Sequence, residues 1–234
     1  MILRFKISYL FIFVIDCFNM TLFLWDLHGV LEKGTENAVL AVSNHVLERA
    51  GYVERFCYDD MRKLYGKKWW QYFEKLLPGM PEAVYRDLQA ACFGLSDDQF
   101  GTIVAPFIGP NDNAYEVLSQ IQRTHEQILI SNSEDSSLRK FTRALGIDIY
   151  FPEGYAIATN SHTRPGRSKN DLLAEFLRGR NFDGIVIVGD SPDDMQLKSV
   201  AGGITYLYAH PGWPFRECEA DHRINDLRNV LNEL

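Results

Sequence analysis

Carboxylate side chains follow two short apolar runs in this sequence. Asp26 follows the run Thr21–Trp25 (TLFLW), and Asp190 and Asp194 lie in the segment GDSPDD, which follows the run IVIV. Carboxylates brought close together repel each other unless a cation lies between them, and their hard oxygen atoms suit Mg²⁺. Mg²⁺ also binds phosphate oxygens, and a carboxylate held against phosphorus can act as a nucleophile. The pattern therefore favours chemistry on a phosphate group with Mg²⁺ as the cofactor.

Three further polar residues could bind the phosphoryl group itself. Ser131 and Asn132 follow the apolar run ILI, and Lys169 opens a predicted helix. The Ser131 hydroxyl and neighbouring backbone N–H groups can donate to phosphoryl oxygens, while Lys169 supplies positive charge to the phosphate and to Asp26. Taken singly, each residue is more typical of a turn, a helix cap or a solvated surface. Their order along the chain and their places at element ends favour a shared substrate site.

The elements that must position these residues alternate between predicted strands and helices. Strands are predicted at Thr21–Trp25, Gln127–Ile130, Asp148–Phe151, Gly184–Val188 and Ile204–Tyr208, with a further one near His222–Ile224. Helices are predicted at Ala114–Arg123, Asp135–Leu145, Lys169–Arg178, Asp193–Val200 and Asp226–Leu234. This alternation is typical of an α/β fold with a doubly wound parallel sheet, in which ligands bind beyond the carboxyl ends of the strands. The candidate site residues follow those ends and should converge.

The segment between the first two predicted strands has helical periodicity instead. Amphipathic helices are predicted at Ala38–Ala50, Asp59–Leu64, Trp69–Leu77, Pro81–Cys92 and Asp97–Ala105, and the turn cluster GPNDN follows at Gly109–Asn113. We therefore predict a core domain formed by residues 20–33 and 109–234, with a helical cap domain, residues 34–108, inserted after the first strand.

Residues 1–19 have the charged and apolar parts of a secretory signal but no small-residue cleavage site. Their apolar run, Ile7–Ile15, is too short to span a bilayer and is interrupted by Asp16. Met20 directly precedes the first predicted strand. We expect the folded protein to begin at Met20, with residues 1–19 as an upstream translation product or, alternatively, a mobile or membrane-associated tail.

Charge and cysteine content limit the class of partner. The formal net charge of -7 gives no electrostatic support for nucleic-acid binding. The four cysteines form no Cys-x-x-Cys pair, which argues against a zinc site or a disulfide framework and for a reducing, cytoplasmic compartment. The expected partner is a small phosphorylated substrate, without nucleic acid or membrane.

These features together resemble the haloacid dehalogenase-like superfamily over nearly all of residues 20–234. The segment FLWDLHGVL is similar to the family's first motif, a strand followed by Asp-x-Asp-Gly-(Thr/Val)-Leu. ILISN is similar to the second motif, a strand that ends in Ser or Thr, and GDSPDD is similar to the fourth, Gly-Asp-x-x-x-Asp. The resemblance implies a Rossmann-like core, a helical cap, and a phosphohydrolase that forms an aspartyl-phosphate intermediate on Asp26. It also implies Mg²⁺ ligands from Asp26, the main-chain carbonyl of His28 and Asp190, and Asp194 of the same motif is predicted to belong to the metal site as well.

The family's third motif, a Lys near a helix start, has two candidates. Lys169 opens the predicted helix directly, whereas Arg164-Pro165 resembles the Lys-Pro form of other relatives with Arg in place of Lys. We favour Lys169 because it keeps an ammonium group at this place.

Position 28 departs from the family pattern, because His28 stands where the general acid/base is Asp. An imidazole can donate and accept a proton around neutral pH, and the main-chain carbonyl of His28 can still bind the metal. We therefore expect His28 to serve as acid/base, and His28→Asp to retain or raise turnover. The alternatives are a slow or non-catalytic phosphate- or partner-binding protein, a phosphotransferase, or a dehalogenase. Dehalogenation needs no Mg²⁺, so the acidic loop at 190–194 argues against it.

The most distinctive stretch of the predicted cap contains Lys67, Lys68, Trp69, Trp70 and Tyr72. These residues could cover an anionic substrate. The helical spacing of Trp69 and Tyr72 favours the other interpretation, in which the aromatic residues pack inside the cap and the lysines are exposed to solvent.

Overall fold

The computed structural model describes residues 20–64, 66–160, 167–210 and 213–234. The predicted terminal segment 1–19 and Arg164, the alternative third-motif residue, lie outside the described residues. Among the residues described, no helix has both the length and the apolar character needed to cross a membrane.

A six-stranded parallel sheet forms the core. Within the described residues the strands, in chain order, are β1 (Thr21–Trp25), β2 (Glu32–Lys33), β3 (Gly109–Pro110), β4 (Glu126–Ser131), β5 (Ala156–Ala158), β6 (Gly184–Gly189), β7 (Ile204–Tyr208) and β8 (His222–Ile224). The sheet has the order β5-β4-β1-β6-β7-β8, and its paired strands are parallel. β1 lies between β4 and β6, so the first strand is central. The predicted α/β fold with a Rossmann-like parallel sheet is confirmed.

Helices cover both faces of this sheet. They are α1 (Thr35–Arg49), α2 (Tyr58–Leu64), α3 (Trp69–Leu76), α4 (Glu82–Asp98), α5 (Ala114–Ile121), α6 (Asp135–Ala144), α7 (Lys169–Leu177), α8 (Pro192–Met195) and α9 (Lys198–Ala201). Phe23 and Trp25 of β1 pack into the apolar cluster that contains α5 and α6, whereas Leu22 and Leu24 pack into the cluster that contains α7 and α8. Because successive side chains of a strand point to opposite faces, one fully buried strand joins both clusters.

The helices α1 to α4 form an insert between β2 and β3. These two short strands pair antiparallel, with Glu32 opposite Pro110 and Lys33 opposite Gly109. Gly34 follows β2 with φ of 101°, and a Cβ atom there would lie 2.0 Å from the main-chain oxygen of Phe107. The two connections to the insert therefore run side by side at a distance that only glycine permits. The predicted domain boundaries, at residues 33/34 and 108/109, fall at this pair of connections and remain a prediction.

Some predicted elements were wrong. Asp148–Tyr150 is a 3₁₀ helix rather than a strand, and the edge strand is β5, further along the chain. Ile149 is 69% exposed, so this apolar run is not buried on both faces as an inner strand would be. The predicted helix Asp193–Val200 is divided into α8 and α9 by i→i−3 hydrogen bonds such as that from Leu197 N–H to Asp194 C=O. The last predicted helix is the 3₁₀ helix Leu227–Glu233.

Candidate active site

The carboxyl ends of three adjacent strands bring most of the predicted site residues together. Asp26 directly follows β1, Ser131 ends β4, and Asp190 directly follows β6. These residues line one cavity of about 340 Å³ that is also lined by His28 and Lys169. The sheet order explains this convergence, because β1 is hydrogen-bonded to both of the other strands.

Lys169 lines this cavity and forms ion pairs with two carboxylates. It is the first residue of α7, whose start is fixed by a capping box between Ser168 and Asp171. Its Nζ atom lies 2.5 Å from Oδ1 of Asp26 and 2.6 Å from Oδ1 of Asp194. Burial would lower the pKa of Lys169, but the charges of Asp194 and Asp26 outweigh that effect and raise it. The two carboxylates therefore favour the charged form of Lys169, which lies between the two acidic motifs.

The three predicted carboxylate ligands form a single acidic cluster. One oxygen from each of Asp26, Asp190 and Asp194 lies within 4.8 Å of the others. Burial raises the pKa of Asp26, against the opposing charge of Lys169. Burial likewise raises the pKa of Asp190 to about 8, although the Arg216 guanidinium beside it acts in the opposite direction.

This donor set fits a hard divalent cation. Three carboxylates share the cluster with the cations of Lys169 and Arg216, whose Nη2 atom lies 3.2 Å from Oδ2 of Asp190. The raised carboxyl pKa values are the expected response of buried acids to desolvation and to each other's charge. A cation bound to their oxygens would favour the ionised forms, and oxygen ligands of this kind suit Mg²⁺.

Asp194 has a second task that the sequence did not indicate. Its Oδ2 atom accepts hydrogen bonds from the main-chain N–H of Ser191 at 3.1 Å and from the Ser191 hydroxyl at 2.5 Å. Because Lys169 occupies Oδ1, both carboxylate oxygens of Asp194 already have protein donors. Gly189 leaves room for this arrangement, since a Cβ atom at that position would lie 2.1 Å from the Cβ atom of Asp194.

His28 lies at the rim of the same cavity and has polar contacts at both ring nitrogens. Nδ1 lies 3.0 Å from Oε2 of Glu32, and Nε2 lies 3.3 Å from the hydroxyl oxygen of Ser133. The ring packs edge to face with Phe141, at 4.7 Å between centroids. The Ser133 hydroxyl also contacts that of Ser131 at 2.8 Å. A chain of polar contacts therefore joins His28 to the predicted phosphate-binding serine.

A second cavity, of about 420 Å³, adjoins the first. Lys67, Tyr72 and Asn132 line both cavities, and Lys68 and Trp69 line the second. The Trp69 indole N–H donates to the Ser43 hydroxyl at 2.8 Å, and its ring packs against Phe93. The aromatic stretch therefore packs inside the insert and also forms a cavity wall, with two exposed lysines beside it. Trp70 is different, because its ring lies under the Arg86 guanidinium.

Sequence reasoning missed three residues of this site, Glu32, Ser133 and Arg216. Glu32 and Ser133 stand close to recognised motifs but match no position in them. Arg216 lies 26 residues beyond its partner Asp190, and no motif marks it. Only the folded chain brings its guanidinium to the cavity.

A family model described as haloacid dehalogenase-like hydrolase matches residues 20–202. No curated protein sequence matches the chain significantly. Solved structures match over most of its length. A haloacid dehalogenase-like hydrolase from Streptococcus pneumoniae is 14% identical with a TM-score of 0.70, covering 92% of this chain and 97% of that one.

Two further structures carry more specific names. A protein named a predicted phosphoglycolate phosphatase, from Haemophilus somnus, is 16% identical with a TM-score of 0.70 and covers 92% of this chain and 97% of its own. A HAD family hydrolase from Deinococcus radiodurans, described with bound phosphate and sodium, is 19% identical with a TM-score of 0.62. The match covers 92% of this chain and 96% of that one. At these identities the likeness shows a common fold.

Proposed function

The chain belongs to the haloacid dehalogenase-like hydrolase family, and we propose that it is a Mg²⁺-dependent phosphatase acting on monoesters of a small phosphorylated metabolite. The observation that carries this proposal is the contact of one buried ammonium, Lys169, with both Asp26 and Asp194, at a cavity that Ser131 also lines. A nucleophile, a cation and a phosphoryl-binding hydroxyl thus face one space. The names of similar structures, which include a predicted phosphoglycolate phosphatase and a phosphate complex, support the same chemistry.

The reaction proceeds in two steps on Asp26. First, a carboxylate oxygen of Asp26 attacks phosphorus, the bond from phosphorus to the ester oxygen breaks, and the His28 imidazolium gives the proton on Nε2 to that leaving oxygen. Water then attacks the phosphorus of the aspartyl phosphate and passes a proton to Nε2 of His28. The bond from phosphorus to Asp26 breaks, and inorganic phosphate is released.

The remaining site residues bind and orient the substrate. Lys169 holds the Asp26 carboxylate in place and adds positive charge beside the phosphoryl group, while the Ser131 hydroxyl and Asn132 donate to its oxygens. Mg²⁺, when bound, would be held by Asp26, the main-chain carbonyl of His28 and Asp190, and would neutralise phosphoryl charge. Asp194, whose oxygens accept hydrogen bonds from Lys169 and Ser191, fixes Lys169 and would complete the acidic cluster that holds the ion.

The helical insert supplies the leaving-group side of the site. We assign residues 34–108 to a cap domain and residues 20–33 and 109–234 to the catalytic core. The second cavity lies between them, with Lys67 and Tyr72 from the insert and Lys169 and Asp193 from the core. The part of the substrate beyond the phosphate binds there, shielded from bulk water.

A phosphate-release assay tests this function. The full chain is incubated with p-nitrophenyl phosphate and with a panel of sugar, nucleotide and glycolate phosphates, over a range of pH, with Mg²⁺ or with EDTA. We expect release that requires Mg²⁺ and is abolished by Asp26→Asn. Absence of turnover across the whole panel would contradict the proposal and leave a non-catalytic phosphate-binding protein.

A further inference from the structure

A buried carboxylate outside the family motifs contacts the side chain of His28. Glu32 is fully buried, and its Oε2 atom lies 3.0 Å from Nδ1 of His28. The same carboxylate accepts the Thr35 main-chain N–H at 2.9 Å and the Thr35 hydroxyl at 2.5 Å. The Thr35 N–H can only donate, so Glu32 accepts it. The Thr35 hydroxyl donates its one proton to Glu32, and its oxygen, 3.1 Å from Nδ1 of His28, can then only accept from that nitrogen. Glu32 and the Thr35 hydroxyl oxygen therefore both favour a proton on Nδ1 of His28.

These contacts fix the orientation of the imidazole ring. With its proton at Nδ1 directed to Glu32, the ring presents Nε2 on the other side, where the Ser133 hydroxyl lies 3.3 Å away. Phe141 packs edge-on against the ring and restricts its rotation. A carboxylate that holds one nitrogen of a histidine selects the tautomer and aims the other nitrogen, as in catalytic triads and metal-bound histidines.

We propose that Glu32 is the positioning residue of His28, and that it directs Nε2 towards the ester oxygen of the substrate. This inference rests on the proposed function, because it assigns Glu32 a part in the same proton transfer. It also explains how histidine can stand at position 28: the imidazole has a fixed, buried acceptor on its far side. An Asp at position 28 would instead place a second carboxylate next to Glu32.

Glu32 has a structural task as well, which the test must separate from the positioning role. By accepting the Thr35 N–H, it satisfies a free donor at the start of α1. Loss of this bond alone would lower stability and reduce the turnover of all substrates alike. Loss of positioning would instead reduce turnover more for a substrate whose leaving oxygen needs a proton than for one whose leaving oxygen does not.

The discriminating experiment compares kcat/KM for two substrates of similar shape, phenyl phosphate and p-nitrophenyl phosphate. p-Nitrophenolate leaves readily without a proton, whereas phenolate depends on the acid. In Glu32→Gln we expect kcat/KM to fall about 10- to 100-fold for phenyl phosphate and to stay within about threefold for p-nitrophenyl phosphate. The matched control is Glu36→Gln, because Glu36 is also a buried carboxylate of this region but contacts Asn37 instead of His28. It should change neither value.

Equal losses for the two esters in Glu32→Gln, or no loss for either, would overturn the inference. A second pair of variants tests the same contact from the other side. His28→Asp should be less active towards phenyl phosphate than the double variant His28→Asp/Glu32→Gln, in which two carboxylates no longer face each other. Equal or higher activity of the single variant would contradict the inference.

A spectroscopic measurement tests the contact between Glu32 and His28 even if the protein hydrolyses none of the esters. Long-range ¹H–¹⁵N spectra of the histidine rings, assigned with His28→Asn, should show the neutral His28 ring protonated on Nδ1 in the wild-type protein. A ring protonated on Nε2 would overturn the inference. If wild type hydrolysed no ester yet showed the Nδ1–H form, the proposed function would fail while the Glu32–His28 contact stood.

Discussion

Nζ of Lys169 lies 2.5 Å from Oδ1 of Asp26, and both side chains are almost completely buried although 143 residues separate them. The same ammonium contacts Asp194, so a single cation is shared by two buried carboxylates. A buried charge without a partner costs far more than an exposed one. This shared cation therefore links the integrity of the fold to the chemistry of the site.

Replacing Lys169 by Met should affect stability and turnover together. It leaves the Asp26 and Asp194 carboxylates without their cation, which we expect to lower the free energy of unfolding by about 3–5 kcal/mol in metal-free buffer. Mg²⁺ should restore part of that loss, and turnover should still fall by at least about 100-fold. Urea unfolding with and without Mg²⁺ measures the first effect, with Lys75→Met on the exposed surface of α3 as the control. Equal stability of the two variants would contradict the account.

The raised pKa of Asp190 predicts a pH dependence of stability. In the folded, metal-free protein its pKa is about 8, whereas an Asp in the unfolded chain has a pKa near ~3.9. Between these values the folded state holds a proton that the unfolded state has released, so raising the pH lowers the contribution of Asp190 to the free energy of unfolding. This contribution is present at low pH and is lost as the pH rises through about 8.

Urea unfolding from pH 5 to pH 8 in EDTA should therefore show wild type losing stability relative to Asp190→Asn. The exposed Asp87→Asn serves as the control and should follow wild type. Mg²⁺ should stabilise wild type more at pH 8 than at pH 6, because protons compete less with the ion there. Parallel stability curves for wild type and Asp190→Asn would rule out a raised pKa at this position.

Parts of this site were readable in the sequence because local patterns encode them. Asp26 directly follows the buried strand β1, and Asp190 directly follows the largely apolar strand β6, so the sequence pattern predicts both acids at strand ends. A parallel sheet places both ends at the same edge, and the pairing of β1 with β6 in the folded chain makes the two acids neighbours.

Other parts depend on contacts between residues far apart in the chain. Arg216 reaches Asp190 from a segment without a helix or strand pattern. Glu32 is buried against His28 and Thr35. The sequence shows only a polar residue in a short connection and does not indicate that it is buried. The strand predicted at Asp148–Phe151 was wrong, because Asp148–Tyr150 forms a 3₁₀ helix. A short apolar run fits a strand by its sequence, and only its exposure in the folded chain distinguishes the two.

Gly189 should tolerate no side chain. The Cβ atom of an alanine would overlap Asp194, whose carboxylate holds both Lys169 and Ser191, so Gly189→Ala should displace Asp194 and reduce turnover by more than about tenfold. Gly94→Ala is the matched control: a Cβ atom at that α4 position meets nothing within 4 Å. It should retain activity and be slightly stabilised, because alanine favours helix more than glycine does. Activity of Gly189→Ala equal to that control would argue against a constrained Asp194.

Arg216 should compete with the metal for Asp190. Its guanidinium lies 3.2 Å from the carboxylate, so Arg216→Gln should leave a more negative site and bind Mg²⁺ several-fold more tightly. Isothermal titration calorimetry with Mg²⁺ measures the affinity, and Arg86→Gln, on the outer face of α4, is the control. Weaker Mg²⁺ binding in Arg216→Gln would show that Arg216 supports the metal site and does not compete with it.

Asp26 should become covalently phosphorylated during turnover. Wild-type protein is mixed with substrate and Mg²⁺, quenched in acid within the first turnovers, reduced with borohydride and mapped by peptide mass spectrometry. An aspartyl phosphate at residue 26 is converted by this treatment to homoserine, and we expect that conversion at position 26 alone, with none in Asp26→Asn or without Mg²⁺. Phosphate release by the wild type with an unmodified Asp26 peptide, together with retained turnover in Asp26→Asn, would contradict the account.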